Sequence, residues 1–229
     1  MTNRLLLLAA LAALAAGCGS TSTATETVTT TTATTTVAPK PTALTVFKVD
    51  NGLLRPSVEQ VPSTTAVAAA ALRALGVEAG VTISDGTATV SLDNVTQDQA
   101  AEIVYTLTQF ASVKRVDVGG RAGLTRDDFA SYVPPIFVES PAAGAEVPGT
   151  FHVSGTASVF EATLVVQLVR DGKVIVKQSV TASEGAPGRG TFDTTVTATP
   201  GAVTVAAFSP SAADGTPQHE VDVPVTILP

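Results

Sequence analysis

The sequence has one cysteine, no tryptophan, and aromatic residues at only 4% of its 229 positions. A lone cysteine cannot form an internal disulfide, so Cys18 must have another role. Apolar residues still make up 45% of the chain, which is enough to bury a core. Because aromatic bulk is scarce, Val, Ala, Leu and Ile must fill that core, and this composition favours small β-rich units.

Positive charge is also scarce, since 13 Lys and Arg stand against 20 Asp and Glu for a net charge of −7. No stretch of the chain forms a basic block. Clustered cations are needed to neutralise phosphates, so the sequence argues against nucleic-acid binding. It argues equally against electrostatic attachment to an anionic membrane surface.

Catalytic signatures are missing as well. There is no Gly-x-Ser-x-Gly elbow, phosphate loop or dinucleotide fingerprint. Neither of the two histidines, His152 and His219, has another histidine nearby, whereas a metal site needs clustered ligands. We therefore predict no catalytic residue, no metal and no cofactor. A glycosidase pair could be hidden among the scattered carboxylates, but sandwich turns use Asp routinely.

The first 17 residues have the pattern of a secretory signal. A short basic start is followed by an unbroken apolar run over residues 5–16, which is too short to span a membrane as a helix. The polar segment that follows offers nothing for a core helix to pack against. We expect residues 1–17 to be a signal peptide and the chain to be exported.

Residues 14–18, Leu-Ala-Ala-Gly-Cys, resemble the bacterial lipobox, with Ala15 where Leu is usual. The resemblance implies cleavage between Gly17 and Cys18 and a diacylglyceryl group on the Cys18 sulfur, with palmitate-like chains. Two acyl chains anchor a protein stably where one is marginal. The predicted location is the extracytoplasmic face of the cell membrane. The alternative is a secreted protein whose cysteine is incidental.

Residues 18–42 hold the lipidated Cys18 and a Thr-rich stretch without any apolar period. Such a composition cannot offset the entropy lost on ordering, so we predict a disordered linker. As a coil it would span about 25–30 Å. It acts as a spacer between membrane and folded part, with O-glycosylation of its threonines as a second possibility.

Residues 43–120 are predicted to form a small α+β domain of order β-α-β-β-α-β, with two helices on an antiparallel sheet. The Asp85-Gly86 pair predicts a two-residue hairpin, and the run from Thr96 to Gln99 predicts a capping box. A connector with a short helix, capped by Thr125, follows at residues 121–135.

Residues 45–50, 59–62, 90–93, 101–110 and 113–116 resemble the sporulation and spore-germination (GerMN) domain. The segment 103–116 is the most specific part of that resemblance. It implies a small α/β module carried by bacterial envelope lipoproteins, related to ring-building motifs of secretion systems, without catalysis.

Residues 136–229 read as an all-β immunoglobulin-like sandwich of seven strands. Asp171-Gly172 marks a second hairpin, and Pro224 predicts an edge strand or a bulge. The predicted strands are 136–139, 150–155, 163–170, 173–182, 190–196, 202–209 and 220–228.

Several segments of this region resemble the immunoglobulin-like domain of bacterial spore-germination proteins. They are residues 140–141, 153–163, 188–192, 207–209, 213–215 and 223–225, and the resemblance extends over nearly all of residues 136–228. The pairing of this domain with the first on a lipoprotein is itself a known arrangement.

One loop, Phe160 and Glu161, lies inside the most family-like stretch. We interpret Glu161 as a structural carboxylate that bonds backbone amides, close to Arg189. A binding role for this loop is the alternative.

The predicted function is a noncatalytic envelope lipoprotein that presents two modules to protein partners or to wall polymer. A hydrolase of peptidoglycan or glycan, or its accessory binding subunit, is the first alternative. A regulator of a neighbouring membrane sensor kinase is the second.

Overall fold

The structure is a computed structural model that describes residues 41–229. The signal peptide, Gly17, Cys18 and the Thr-rich linker up to residue 40 lie outside the described residues, so those expectations remain predictions. Within residues 41–229, helices and sheet come first and an all-β sandwich follows. The predicted fold class is therefore confirmed.

The first region contains six strands and two helices. They are β1 (Thr42–Asp50), β2 (Leu53–Val61), α1 (Val67–Ala74), β3 (Gly80–Ser84), β4 (Thr87–Ser91), α2 (Gln97–Leu107), β5 (Arg115–Val118) and β6 (Arg121–Leu124). A kinked 3₁₀ segment, Arg126–Tyr132, leads into the sandwich.

The strand plan of this region differs from the predicted one in its first hairpin. The sequence pattern predicts only the end of a strand at Asn51-Gly52. These residues have φ values of 51° and 78° and join β1 to β2 as a two-residue turn. This is the backbone that Asn-Gly favours between two β-runs. The two strands form a sheet of their own, which is not hydrogen-bonded to the other sheet.

The second sheet of the first region has the order β3-β4-β5-β6. The predicted Asp85-Gly86 hairpin joins β3 to β4, with positive φ at both residues. However, β4 and β5 are parallel, so the sheet is mixed and not antiparallel. The reason is α2, whose crossover returns the chain in the same direction. Gly119 and Gly120 then turn the chain into β6, which the sequence pattern did not reveal.

The sequence predicts the start of α2 correctly but not the start of α1. At α2 the predicted capping box is formed, because Thr96 Oγ1 accepts from the Gln99 N–H at 3.1 Å and Gln99 Oε1 accepts from the Thr96 N–H at 3.2 Å. Pro62-Ser63 before the Ala-rich run predicts a helix that opens at residue 62, yet α1 begins at Val67. Strand β2 extends to Val61 and leaves the next residues to turn the chain.

The sandwich contains all seven predicted strands and one more of two residues. They are β7 (Ile136–Ser140), β8 (Glu146–Val147), β9 (Thr150–Ala157), β10 (Thr163–Arg170), β11 (Lys173–Thr181), β12 (Gly190–Thr197), β13 (Gly201–Pro210) and β14 (Pro217–Ile227). One sheet has the order β11-β10-β13-β14-β8 and the other β12-β9-β7. Pro224 lies in β14, which has β13 on one side and the two-residue β8, paired at residues 226–227, on the other. The expected edge strand or bulge at Pro224 is therefore not what forms: β14 is the strand next to the edge.

Two hydrophobic cores fill the molecule, and β7 contributes to both. Ile136 and Val138 are buried in the sandwich core. Phe137, between them, is buried in the core of the first region. Because successive strand residues point to opposite faces, one strand joins the two cores. No helix within residues 41–229 has the length and apolarity to cross a membrane.

Candidate interaction sites

The loop that carries Phe160 and Glu161 forms a 3₁₀ turn, Phe160–Ala162, between β9 and β10. Glu161 and Ala162 both have left-handed backbones, with φ of 52° and 56°. Such conformations cost roughly 1–3 kcal/mol for residues other than glycine and need support from their surroundings. Backbone bonds supply it, since Ala182 N–H donates to Ala162 O at 2.8 Å and Ala186 N–H donates to Val159 O at 2.9 Å.

The side chains of this loop face solvent. Phe160 is 70% exposed, the highest fraction among the large apolar residues that are exposed. The Glu161 carboxylate forms no hydrogen bond or ion pair with any residue in 41–229, so the expected bonds to backbone amides and the contact with Arg189 are not formed. The backbone of the loop is held in place, while its apolar and acidic side chains stay free for contact.

Arg189 instead holds the connector between the two regions. Its guanidinium donates to Pro134 O at 2.9 Å, to Val133 O at 3.4 Å and to Thr156 Oγ1 at 3.2 Å. Desolvation lowers the pKa of Arg189, and the nearby Tyr105 and Glu139 act in the opposite direction. Arginine stays charged despite such a shift, so the residue acts as a fixed donor at the joint.

A second arginine, which the sequence did not single out, lies at the same joint. The Arg126 guanidinium is 4.7 Å from the centre of the Tyr105 ring and 5.5 Å from that of Phe47. It also donates to Glu139 Oε2 at 2.7 Å and to Thr108 Oγ1 at 3.0 Å. Burial raises the pKa of Tyr105, and the charge of Arg126 opposes that effect. Arg126 thereby links α2 and β1 to β7.

The joint also encloses a cavity of about 250 Å³. Its walls are residues 53–56 of β2, residues 134–135 of the connector, Phe137 and Val138 of β7, Ala143, and residues 219–223 of β14. Most of the wall is apolar, and its charged residues are Arg55, Glu220 and Asp222. Sequence reasoning missed this site because its walls come from three parts of the chain that lie far apart, residues 53–56, 134–143 and 219–223.

Potential metal ligands are scattered over the described part of the chain. No group of three or more potential metal ligands occurs in residues 41–229. His152 pairs instead with Asp193 on the sandwich surface, Nδ1 to Oδ1 at 2.7 Å.

Three carboxyl groups have clearly shifted pKa values, and each shift has a local structural cause. Desolvation raises the pKa of Glu102. Hydrogen bonds from Thr125 lower that of Asp128, and hydrogen bonds from Thr216 lower that of Asp214. These three groups lie on separate elements and do not converge.

Residues 135–216 match the family model of the immunoglobulin-like domain of bacterial spore germination. The C-terminal sandwich is therefore a domain of this family, as its sequence resemblance implied. The match ends at residue 216, directly before β14 begins, although β14 lies between β13 and β8 in the sheet.

Two solved structures are similar at low identity. One is the tandem GerMN domains of the sporulation protein GerM from Bacillus subtilis, at 17% identity and a TM-score of 0.34, over 82% of this chain and 61% of that one. The other is an engineered protein, at 16% identity and a TM-score of 0.31, over 56% of this chain and 36% of that one. With TM-scores this low, we base no argument on either. No curated protein matches the chain significantly.

Proposed function

We propose that this protein is a noncatalytic envelope lipoprotein that presents its two folded regions as binding modules outside the cell membrane. The observation that carries the proposal is the spore-germination immunoglobulin-like domain at residues 135–216. Sandwiches of this type expose loops and strand edges on a rigid frame, which suits recognition. The partners are proteins of the envelope or the wall polymer.

The membrane anchor in this proposal is the lipid on Cys18. An apolar stretch of signal length precedes Cys18, and a Thr-rich stretch follows it. With two acyl chains on the sulfur, attachment would be stable without any positive patch. The net charge of −7 fits this, because a chain this acidic gains nothing from an anionic lipid surface.

The noncatalytic part of the proposal has two supports. The sequence resemblance of residues 43–120 is to GerMN domains, which imply no catalysis. In addition, two charged residues at the joint, Arg126 and Glu139, are engaged with each other, and Arg126 also packs on the Tyr105 ring. An active site would instead hold titratable groups in one cleft with convergent geometry.

Fractionation of cells that produce the full-length chain tests the anchor. Wild-type protein should stay with membranes at high salt, while Cys18→Ala should be released in soluble, folded form. Ser20→Ala, two residues further along the same segment, is the matched control and should remain bound. A Cys18→Ala protein that stays with membranes at high salt would contradict the lipid anchor.

Incubation with purified cell wall tests the noncatalytic claim. We expect full-length protein to release no soluble muropeptides over the buffer control. Binding to the wall without release would identify wall polymer as a partner. Release of muropeptides that depends on a carboxylate of the chain would show a hydrolase instead.

A further inference from the structure

Strand β2 has an edge that is only partly paired. Val58 N–H donates to Ala143 O at 2.8 Å, and Ala143 N–H donates to Pro56 O at 3.2 Å. Alternate residues of a strand direct their backbone groups to the same side, so the next outward residue is Leu54. Its opposite residue, Val49, turns its own N–H outward, to Glu102. Within residues 41–229, the Leu54 N–H and C=O have no partner.

Strand β14 has a similar edge. Gly144 N–H donates to Pro224 O at 2.8 Å, and Thr226 N–H donates to Ala145 O at 2.9 Å. By the same alternation, Asp222 is the next residue whose N–H and C=O point outward. No hydrogen bond joins these two groups to another residue of the described chain.

One short segment, residues 143–147, lies between these two edges. It pairs in parallel with β2 through Ser57 and Ala143, and in parallel with β14 through Thr226 and Glu146. The chain reaches this segment from β7, which ends at Ser140, through residues 141–142. Within residues 41–229, β2 pairs at residues 53–56 with β1 alone, and β14 pairs at residues 221–223 with β13 alone. The cavity lies between these two stretches, because residues 53–56 and 219–223 form two of its walls.

The cavity thus occupies the vacant part of a strand position. Residues 219–223 would span about 13 Å, which corresponds to roughly four residues of an added strand. Leu54 has no surface open to solvent, so its unpaired backbone groups are desolvated and an entering segment reaches them only after the cavity wall moves, whereas Asp222 is already exposed. Buried polar groups without partners are rare, and each one calls for an explanation such as an absent ligand.

The walls of the cavity indicate which side chains would fit. Leu54, Phe137 and Val223 are apolar and buried. Glu220 and Asp222 add two negative charges, whereas the one positive charge, Arg55, lies 3.2 Å from Asp50 and is largely compensated. An extended segment that alternates apolar and basic side chains is complementary to this lining.

The β14 backbone is bent beside the cavity. His219 has a left-handed backbone with φ of 55°, and the pairing of β13 with β14 shifts between Ala207 and Ser209. A bulge of this kind ends regular pairing and redirects the neighbouring side chain, here Glu220.

From these observations we propose that the joint is a peptide-binding slot. It takes an extended, basic segment of a partner protein as an added strand, parallel to β2 and β14, with main-chain hydrogen bonds to Leu54 and Asp222. The proposal depends on the binding role described above but not on the lipid anchor. Release of Cys18→Ala from membranes and peptide binding can therefore succeed or fail separately.

The test is a titration of the full-length protein in detergent with the peptide acetyl-Lys-Val-Thr-Val-Lys-amide. Binding should shift the backbone amide signals of Leu54 and Asp222 in NMR spectra. Two peptides serve as controls, one with N-methyl groups on alternate amides and one with Glu in place of both Lys. The N-methylated peptide lacks main-chain donors, and the Glu peptide lacks the positive charge. Each should therefore bind at least about tenfold more weakly.

Two protein variants complete the test. Glu220→Lys, at the slot, should weaken binding of the basic peptide about tenfold. Glu146→Lys places the same change on β8, outside the cavity walls, and should leave binding unchanged. A third measurement uses a chain that lacks residues 19–40, which should bind as the full chain does.

Several outcomes would overturn the proposal. They are absence of binding at about 1 mM peptide, equal binding of the N-methylated peptide, or shifts confined to the Phe160 loop. Binding seen only after removal of residues 19–40 would also overturn it, because the chain's own segment would then occupy the slot in place of a partner.

Discussion

The two regions of the molecule are held together by different kinds of contact. In the sandwich, backbone ladders join five strands in one sheet and three in the other, and a Val-rich core lies between them. In the first region, the β1–β2 hairpin shares no ladder with the four-stranded sheet.

Helix α2 holds that hairpin through side chains. Phe47 N–H donates to Thr106 Oγ1 at 3.0 Å, Val49 N–H to Glu102 Oε1 at 2.8 Å, and Gln109 Nε2 to Thr45 O at 2.9 Å. Glu102 and Thr106 are four apart in α2 and share one face, and Gln109 follows two residues after the helix ends. An exposed strand edge is thus satisfied by a helix instead of another strand. Stability in the first region should therefore depend on single polar side chains, and in the sandwich much less so.

The largest expected effect comes from the strand that both regions share. Phe137→Ala should lower the free energy of unfolding by about 3–5 kcal/mol, because Phe137 packs against Phe47 and Tyr105 from within the first core. It should also separate the unfolding of the two regions. Both tyrosines of the chain, Tyr105 and Tyr132, lie in the first region, so tyrosine fluorescence reports on that region alone.

Urea unfolding followed by tyrosine fluorescence and by circular dichroism measures this separation. The wild-type curves should coincide, and those of Phe137→Ala should not. Val138→Ala changes the next residue of β7, which faces the sandwich core, and serves as the control. Coincident curves for Phe137→Ala would show that β7 does not couple the regions.

Thr106→Val should cost about 1–3 kcal/mol, because it keeps the shape but leaves the buried Phe47 N–H without an acceptor. Thr106→Ser retains the hydroxyl and should keep most of that hydrogen-bond energy. Thermal or urea unfolding compares the two variants. A loss in Thr106→Ser with none in Thr106→Val would assign the role of Thr106 to its methyl group and remove the contrast between the regions.

The sequence predicts the sandwich better than the first region, because the sandwich depends on strands and turns with local signals and the first region on side-chain contacts between distant residues. All seven predicted strands of the sandwich form, because alternation and Asp-Gly turns are local signals. In the first region, the missed hairpin depends on Asn51-Gly52, which local reasoning could have identified. The docking of Thr106 and Glu102 on β1, however, joins residues more than fifty positions apart. Neither those bonds nor the cavity at the joint has a local signature.

Arg126→Met should cost about 1–2 kcal/mol, since it removes the cation above Tyr105 and leaves Glu139 without its partner. The pair is partly exposed, with about 30% of each side chain open to water, which keeps the effect moderate. Arg126→Lys keeps the charge but loses the forked geometry and should recover part of the loss. If Arg126→Met is as stable as wild type, the joint depends on aromatic packing alone.

The smallest expected effect on the free energy of unfolding comes from Glu102 and depends on pH. Desolvation raises the pKa of Glu102 above its ordinary 4.5, so the folded protein holds this proton more tightly than the unfolded chain does. The resulting stabilisation is complete below pH 4.5 and is lost as the pH rises through the folded-state pKa.

Glu102→Gln keeps an acceptor for Val49 N–H but does not titrate. Its stability relative to wild type should therefore increase between about pH 4 and pH 7, as measured by urea unfolding. Glu78→Gln, at a site where 82% of the side chain is exposed, is the matched control. If the difference in free energy of unfolding between Glu102→Gln and wild type does not change with pH, the Glu102 carboxyl is not desolvated at the contact between α2 and β1.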